Sequence, residues 1–513
     1  MIPVLTVSQM RALDERAIGG NVAVGYSYML KAGEGLFEAA KKLSPKKGAG
    51  EIAVICGKGN NGGDGFVVSR LLLEVQYRVM CFGLCSPDEL RAEAKLAYDD
   101  YVACGGNFLL LDDLGDLCNL SQYSLIIDAL VGSGLTGNPH GLVAEIISAI
   151  NQSGAPVLAV DTPSGLDNDS GAPGKPCIKA QATVAMGFPK IGAFFYPGKS
   201  YVGDYSVKDL GYPDEFLSEA HPALFLPRLA TLKKMLPPRK PSGSKFDHGV
   251  VGLVCGSFGM TGSAVLSSIA ALRTGCGMAH LFSPKSALCA LSAQLVETVL
   301  HGIDETTPGR PALSAAASII SGAETFQAMC IGPGISHDEE TTQLVKNLVE
   351  TLTLPVILDA DGINAYKGCA AALRKHAGEL LITPHHGEWQ RLFSSPPDQP
   401  VEKINFLRET AMEYSISILY KGSPTIVVDP RGGAFLLPYG NSGMATAGCG
   451  DVLAGCLSSL VAQGCTVPDA AILGAYIHGR AGEIASERFG EYSMIAGDLL
   501  ATIPEVMKTL VIG

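Results

Sequence analysis

The sequence holds a single tryptophan, only 17% charged residues and no uninterrupted apolar run of about 18 residues. The missing run excludes a membrane-spanning helix. The first twenty residues, MIPVLTVSQMRALDERAIGG, also lack a signal-type apolar core and reach Asp14, Glu15 and Arg16, so a soluble, unanchored chain is expected. Basic charge is short as well: 38 Lys and Arg stand against 50 Asp and Glu, a formal charge of −12. An extended phosphate backbone meets net repulsion, so small molecules rather than nucleic acid are the expected partners. The 14 cysteines include no CxxC pair, and Cys56, Cys255 and Cys330 sit in apolar runs as small hydrophobes, which points to a reduced, cytoplasmic compartment. A GxxxxGK[ST] phosphate loop is absent, which excludes that class of nucleotide enzyme.

What is present is 47% hydrophobic residues and 61 glycines, the composition of a loop-rich globular protein. At about 150 residues per domain, 513 residues are too many for one core. From residue 50 the chain alternates short β-branched runs, Gly-rich turns and longer amphipathic segments, which predicts βα units on parallel sheets. Strands are expected at Ile52–Cys56, Arg78–Gly83, Leu125–Leu130 and Pro156–Val160. A second series is expected at Val250–Cys255, Ala328–Ile331, Val356–Leu358, Leu380–Thr383, Ser417–Leu419 and Thr425–Val428, with two apolar helices after Gly450. Around residues 213–245 the chain turns Pro- and Lys/Arg-rich, most clearly in LPPRKPSGSK at 236–245, and the boundary between them is placed there. The halves share no repeat, so two different α/β modules that separate from one another, and two activities, are expected.

In the first half, Ile52–Cys56 runs into GKGNNGGDG and then an apolar helix from Phe66 to Leu73, so Gly57, Gly59 and Gly62 satisfy GxGxxG in a strand–turn–helix setting. The acidic residue that should end the next strand of a hydride-transferring dinucleotide fold comes too late, at Asp88 past a proline. Two further loops, DALVGSGLTGN from Asp128 and VDTPSGLD with Asp161 and Ser164, should open at the same carboxyl edge. Any one of them reads as turn chemistry. Together Asn61, Asp128 and Ser164 form an all-oxygen set that suits a hard cation.

NNGGDG, DALVGSGLTG and DTPSGLD, in this order, resemble the epimerase domain of the NAD(P)H-hydrate repair enzymes over residues 1–215. The resemblance implies a Rossmann-like three-layer domain that interconverts the R and S forms of hydrated NADH or NADPH. It assigns substrate to Asn60, Asn61, Gly62, Gly63 and Asp64 and to Gly132, Ser133, Gly134, Leu135, Thr136, Gly137 and Asn138. It assigns potassium to Asn61, Asp128 and Ser164, and a substrate-contacting, catalytic acid to Asp161. Thr162 departs from the aliphatic residue often found there.

In the second half, GSFGMTGSAVLSS, IGPG, LDADGIN and TPHHGEWQRL each follow a short apolar run, and KGSPTIVVD offers Lys421 at a turn. The strongest feature is GNSGMATAGCGDVLAG, 440–455. Gly448 and Gly450 permit a tight turn whose N–H groups would receive a transferring phosphoryl group. Asp451, opening the helix behind it, is expected to be held ionised by the helix dipole and to act as a base.

This set resembles the nucleotide-dependent NAD(P)H-hydrate dehydratases, a ribokinase-like branch, over residues 226–513. The resemblance implies substrate contacts at Ala264, Gly334, His385 and Asp451. It implies nucleotide contacts at Lys421, Gly422, Ser423, Pro424 and Thr425, and at Asn441, Ser442, Gly443, Met444, Ala445, Thr446, Ala447, Gly448, Cys449 and Gly450. ADP in bacterial members, or ATP, would phosphorylate the hydrate with Mg2+, after which phosphate leaves and NAD(P)H re-forms. Cys449 and Ser336 stand where relatives often have Thr or Ser and Gly; Cys449 is expected to make the site oxidation-sensitive. The rival readings are a vitamin-precursor kinase with a regulatory N-terminal domain and a scaffold role for that domain. Two large apolar sheets of modest charge imply a homo-oligomer.

Overall fold

The computed structural model describes residues 1–511 apart from 45–49, 91, 118, 135, 136, 220, 221 and 223. The chain divides into two compact units, Pro3–Ala223 with Gln399–Val401, and Leu224–Asp398 with Glu402–Gly513 and Met1–Ile2. The division falls inside the 213–245 stretch, between the expected domains 1–215 and 226–513, and the Pro-rich segment 236–245 belongs to the second unit. Helix Leu229–Met235, just before it, buries Leu232 in the core built from the C-terminal helices. Composition marks where the chain bends; which core owns the bend is decided by an apolar residue upstream.

In the first unit the strands run, across the sheet, Asn107–Leu110, Arg78–Gly83, Glu51–Cys56, Leu125–Ala129, Val157–Val160, Ala182–Met186 and Asp204–Lys208, all parallel. This is the doubly wound, Rossmann-like order, and it reverses between Glu51–Cys56 and Leu125–Ala129. The period of two is visible in the core. Ile52 and Val54 face the helices Val22–Leu43 and Asn60–Glu74, while Ala53 and Ile55 face helix Gly141–Ser153 through Ile146 and Ile147. Three layers result.

In the second unit, Val250–Val254, Ala328–Ile331, Val356–Leu358, Leu380–Ile382 and Ser417–Tyr420 are parallel and carry the site loops at one edge. Met278–Pro284 and Val299–Ile303 extend the sheet beyond Val250–Val254. The fully parallel expectation fails after Tyr420, where Thr425–Val428 and Ala434–Leu437 continue antiparallel. Residues 421–424 are too few for a crossover, so the chain turns back as a hairpin. Three helices rather than two close the chain, Cys449–Ala462, Val467–Phe489 and Ala496–Val511. Among the described residues no helix is long and apolar enough to cross a membrane, and the described cysteines are all free thiols.

Candidate active sites

At the point where the first sheet reverses, the chain leaves Cys56 and Ala129 in diverging directions. Gly57 N–H donates to the Ala129 carbonyl at 2.9 Å, and a Cβ on Gly57 would lie 1.9 Å from the Leu130 carbonyl. Helix Asn60–Glu74 starts six residues before the apolar run that predicts it, so NNGGDG forms its opening turns. Gly62 explains this, because a Cβ there would lie 1.9 Å from the Gly57 carbonyl. The glycine serves close packing of helix on turn. Overpacking costs about 1–3 kcal/mol, and a clash with backbone belongs at the upper end, so Gly62→Ala should lower the unfolding free energy by that amount, read as a lower denaturant midpoint at unchanged m.

The crevice opened here is a cavity of about 520 Å³, lined among others by Asp14, Tyr28, Lys58, Asn60, Asn61, Asp64, Gly132, Ser133, Gly134, Asp161, Lys190 and Tyr212. Of the residues the sequence assigns to substrate, Gly62 and Gly63 instead turn inward, Gly63 against Met29. Gly137 and Asn138 line a separate pocket with Gly165 and Gly174, where Asn138 Oδ1 accepts the Lys175 N–H at 3.0 Å. Leu135 and Thr136 lie outside the described residues.

Asp128 and Ser164 meet directly. The Ser164 hydroxyl donates to Asp128 Oδ1 at 2.6 Å and its N–H to Oδ2 at 2.8 Å, while Leu130 N–H donates to Oδ1 at 3.3 Å. Burial raises the fully enclosed Asp128 carboxyl to about 6 against these bonds. Ser164 Oγ also accepts the Val131 N–H at 3.0 Å, and Asn61 lies over the adjoining Gly132. One end of the Asn61 amide is buried with no hydrogen-bond partner. The orphaned end is the nitrogen, Nδ2; turned end for end, the amide would bring its oxygen to those of Asp128 and Ser164, a set that fits a hard cation.

Asp161 has φ +63°, left-handed for a residue with a Cβ. Its Oδ1 accepts the Met186 N–H at 2.9 Å and forms an ion pair with Lys190, which is 3% exposed. Lys190 is the residue sequence reasoning missed; PK after an apolar strand carries no signal by itself. Asp14, also missed, bonds the Tyr212 hydroxyl, and burial raises its carboxyl.

In the second unit Asp451 lies in the first turn of helix Cys449–Ala462, behind Gly448 at φ +92°. Its carboxyl is raised to about 6, chiefly by burial, with the Ser263 hydroxyl bond and Lys421 opposing and Asp359 and Asp361 reinforcing. The expectation that the helix dipole sets its ionisation is corrected: desolvation among neighbouring acids outweighs it. At neutral pH it is still largely a carboxylate, a base poised near its working pH. Lys421 pairs with Asp359, which is 1% exposed and accepts the Thr383 hydroxyl at 2.6 Å; a Cβ on Gly450 would come 3.3 Å from Lys421 Nζ. Ser263 and Asp359 thus join the site, although the sequence reading took their motifs without them.

Gly334, at φ +66°, lies against Ser263, so it shares the Asp451 neighbourhood. Ala264 does not open to a ligand; it is fully buried beneath Gly256. His385 caps helix His386–Leu392, its Nδ1 accepting the Gly387 N–H at 3.0 Å, which leaves the other ring nitrogen toward Glu388 at 3.5 Å. Asn441 braces its own loop, accepting from Gly443 N–H at 3.0 Å and donating to the Gly482 carbonyl at 2.9 Å. Ser442 is held by Glu491. These two side chains are occupied; Ala445, Thr446 and Ala447 are exposed. Ser336 has φ +72°, which explains why a glycine suits that position, and is held by Arg310 on its hydroxyl and Asp361 on its N–H, both at 2.8 Å. Cys449 is corrected too. Its thiol is 5% exposed and burial pushes it up to about 11, so it is not an oxidation-prone thiolate.

Residues 25–192 match the family described as YjeF-related protein N-terminus, and residues 251–505 the family described as NAD(P)H-hydrate dehydratase. A bifunctional NAD(P)H-hydrate repair enzyme of Moorella thermoacetica is 36% identical over 512 residues, spanning 99% of this chain and 97% of that one. One of the same description from Escherichia coli K12 is 30% identical over 484 residues, 94% and 90% of the two chains. A solved ADP/ATP-dependent NAD(P)H-hydrate dehydratase of Bacillus subtilis, co-crystallised with ATP and Mg2+, is 25% identical with a TM-score of 0.47, covering 55% of this chain and 97% of that one.

Proposed function

The chain belongs to the family of bifunctional NAD(P)H-hydrate repair enzymes, and on that premise we propose which half does which chemistry and with which residues. The first half, residues 1–215, epimerises hydrated NADH or NADPH in the 520 Å³ cavity. The second, residues 226–513, dehydrates the S form with a nucleotide, ADP or ATP. The observation that carries the second assignment is a buried carboxylate, Asp451, bonded by Ser263 and set beside Lys421 at the mouth of a Gly-x-Gly turn. Backbone N–H groups of that turn and Lys421 stabilise the phosphoryl group in transfer. Asp451 takes the proton of the hydroxyl as its oxygen bonds the terminal phosphorus, and the bond from that phosphorus to the rest of the nucleotide breaks, releasing the nucleotide one phosphate shorter. Phosphate then leaves with the C–O bond while the neighbouring carbon gives up a proton, restoring the double bond. A kinase that stopped at the ester would need a substrate unable to eliminate.

Asn61, Asp128 and Ser164 would hold potassium, which supplies a fixed positive charge beside the hydrate. Mg2+ would arrive on the nucleotide, held chiefly by its phosphates, since among the described residues no three His, Cys, Asp or Glu side chains come together as a metal site. Asp161, held by Lys190 and the Met186 N–H, presents the acid–base group of the first half. A reduced cytoplasm suits the free thiols. Incubating the protein with mixed hydrate epimers tests the assignment. Restored dihydronicotinamide absorbance should rise only with ADP or ATP and should consume both epimers. A stable phosphate ester, or consumption of one epimer only, would overturn it.

A further inference from the structure

Two acids of the first cavity, Asp14 and Asp64, are left unused by the proposed chemistry; Asp14 is taken up by the Tyr212 hydroxyl, and Asp64 is not. It projects from the second turn of helix Asn60–Glu74, is buried at 9% exposure, lines the cavity, and hydrogen-bonds to none of the described residues. Asp161 enters the same cavity from the loop after Val157–Val160, two strand positions away and tied by Lys190 and the Met186 N–H. Two strand spacings are about 10 Å, room for a flat ring and a water between acids that reach it from different loops.

We propose that Asp64 is the general acid of epimerisation and Asp161 its partner base, working on opposite faces of the hydrated ring. This rests on reading the cavity as the epimerisation site. Water added across an enamine double bond leaves the hydroxyl on the carbon next to nitrogen. Asp64 gives its proton to that hydroxyl, the C–O bond breaks, water departs, and the nitrogen lone pair closes a C=N bond to leave a ring cation. A water on the other face forms the new C–O bond, the C=N electrons return to nitrogen, and the spare proton passes to the Asp161 carboxylate. One water leaves and one enters. Asp64 ends ionised and Asp161 protonated, the state that runs the reverse reaction, and solvent resets the pair.

The surroundings agree with this division. Burial, then repulsion from Asp161 and Asp14, holds the Asp64 carboxyl well above the usual carboxylate range, with Lys190 opposing. The other ionisable groups facing the cavity are Lys58, Tyr28 and Tyr212, with Glu93 behind Gly25. Asp64, without a hydrogen-bond partner among the described residues, and Asp161, tied by Lys190 and the Met186 N–H, thus meet one cavity in different surroundings, as a proton donor and its partner require.

The test follows epimer interconversion and oxygen exchange in H2¹⁸O, by chromatography and mass spectrometry. Wild-type protein should place one ¹⁸O in each newly formed epimer, and its rate should fall on the alkaline side as Asp64 loses its proton. Asp64→Asn should cut kcat by about 10²–10⁴-fold with little change in KM, and the residual rate should lack that alkaline limb. Asp64→Glu, which keeps a proton donor, should recover part of the rate. Asp64→Asn within threefold of wild type, or wild-type epimerisation without label uptake, would overturn the proposal while leaving the epimerase reading intact. Absence of epimerisation by the wild-type chain would overturn both. If Asp64→Asn does not fold, the label uptake and alkaline limb of the wild-type protein still decide.

Discussion

Asp451→Asn should lower nucleotide-dependent dehydration by about 10²–10⁴-fold, the usual worth of a positioned general base. Asparagine keeps the size and can still accept from the Ser263 hydroxyl, but it cannot take the proton of the substrate. Nucleotide affinity should hold, since the phosphates meet backbone N–H groups and Lys421. In wild-type protein the rate should fall as pH drops through about 6, where Asp451 gains its proton, and the variant should lose this limb. The stability effect has the opposite sign. The folded carboxyl, at about 6, lies above its ordinary 3.8, so the ionised carboxylate opposes folding above pH 6, and that cost fades between pH 6 and 4. The melting temperature of Asp451→Asn at pH 7 should therefore not fall below wild type. Near-normal dehydration would sink the base assignment, and a lower melting temperature with both activities lost would make Asp451 a structural cap.

Asp128→Ala should abolish the response of epimerisation to added potassium and lower its rate by an order of magnitude or more. The carboxylate is fully buried and accepts the Ser164 hydroxyl and N–H and the Leu130 N–H, so truncation also orphans three donors. Each buried donor left unmade costs about 1–3 kcal/mol. Because such a loss by itself damages the loops, Asp128→Asn is the companion variant: it keeps most of the acceptor pattern but not the charge. Potassium titration of epimerisation separates the outcomes. A folded Asp128→Asn protein with the wild-type potassium response would mean that Asn61, Asp128 and Ser164 are turn residues only.

The α/β class and the edge-of-sheet placement of Asp128, Asp161, Ser164 and Asp451 were legible because strand ends followed by Gly, Asp and Ser are short-range signals. Less legible was anything set by what packs behind. NNGGDG read as a loop because glycines disfavour helices, yet the Gly57 carbonyl leaves room for nothing larger at Gly62. The hairpin after Tyr420 reads in sequence like another βα unit, and only the four-residue link gives it away. Lys190, Ser263 and Asp359 belong to their sites through contacts 29 to 188 residues away along the chain, which no local pattern encodes. The dominant influence on the Asp451 carboxyl was misjudged for the same reason: a dipole is visible from its position, burial is not.

The enclosure of Cys449 bears on how this enzyme can be probed chemically. A thiol at the opening of the catalytic helix invites use as an anchor for covalent inhibitors or fluorescent reporters. With its sulfur buried and almost wholly protonated at pH 7, an alkylating reagent meets Cys104 and Cys289 first, both of them exposed. Electrophiles aimed at the dehydration site would decorate the periphery, so reporters are better built on those two outer cysteines, and inhibitors on noncovalent mimics of the phosphorylated hydrate.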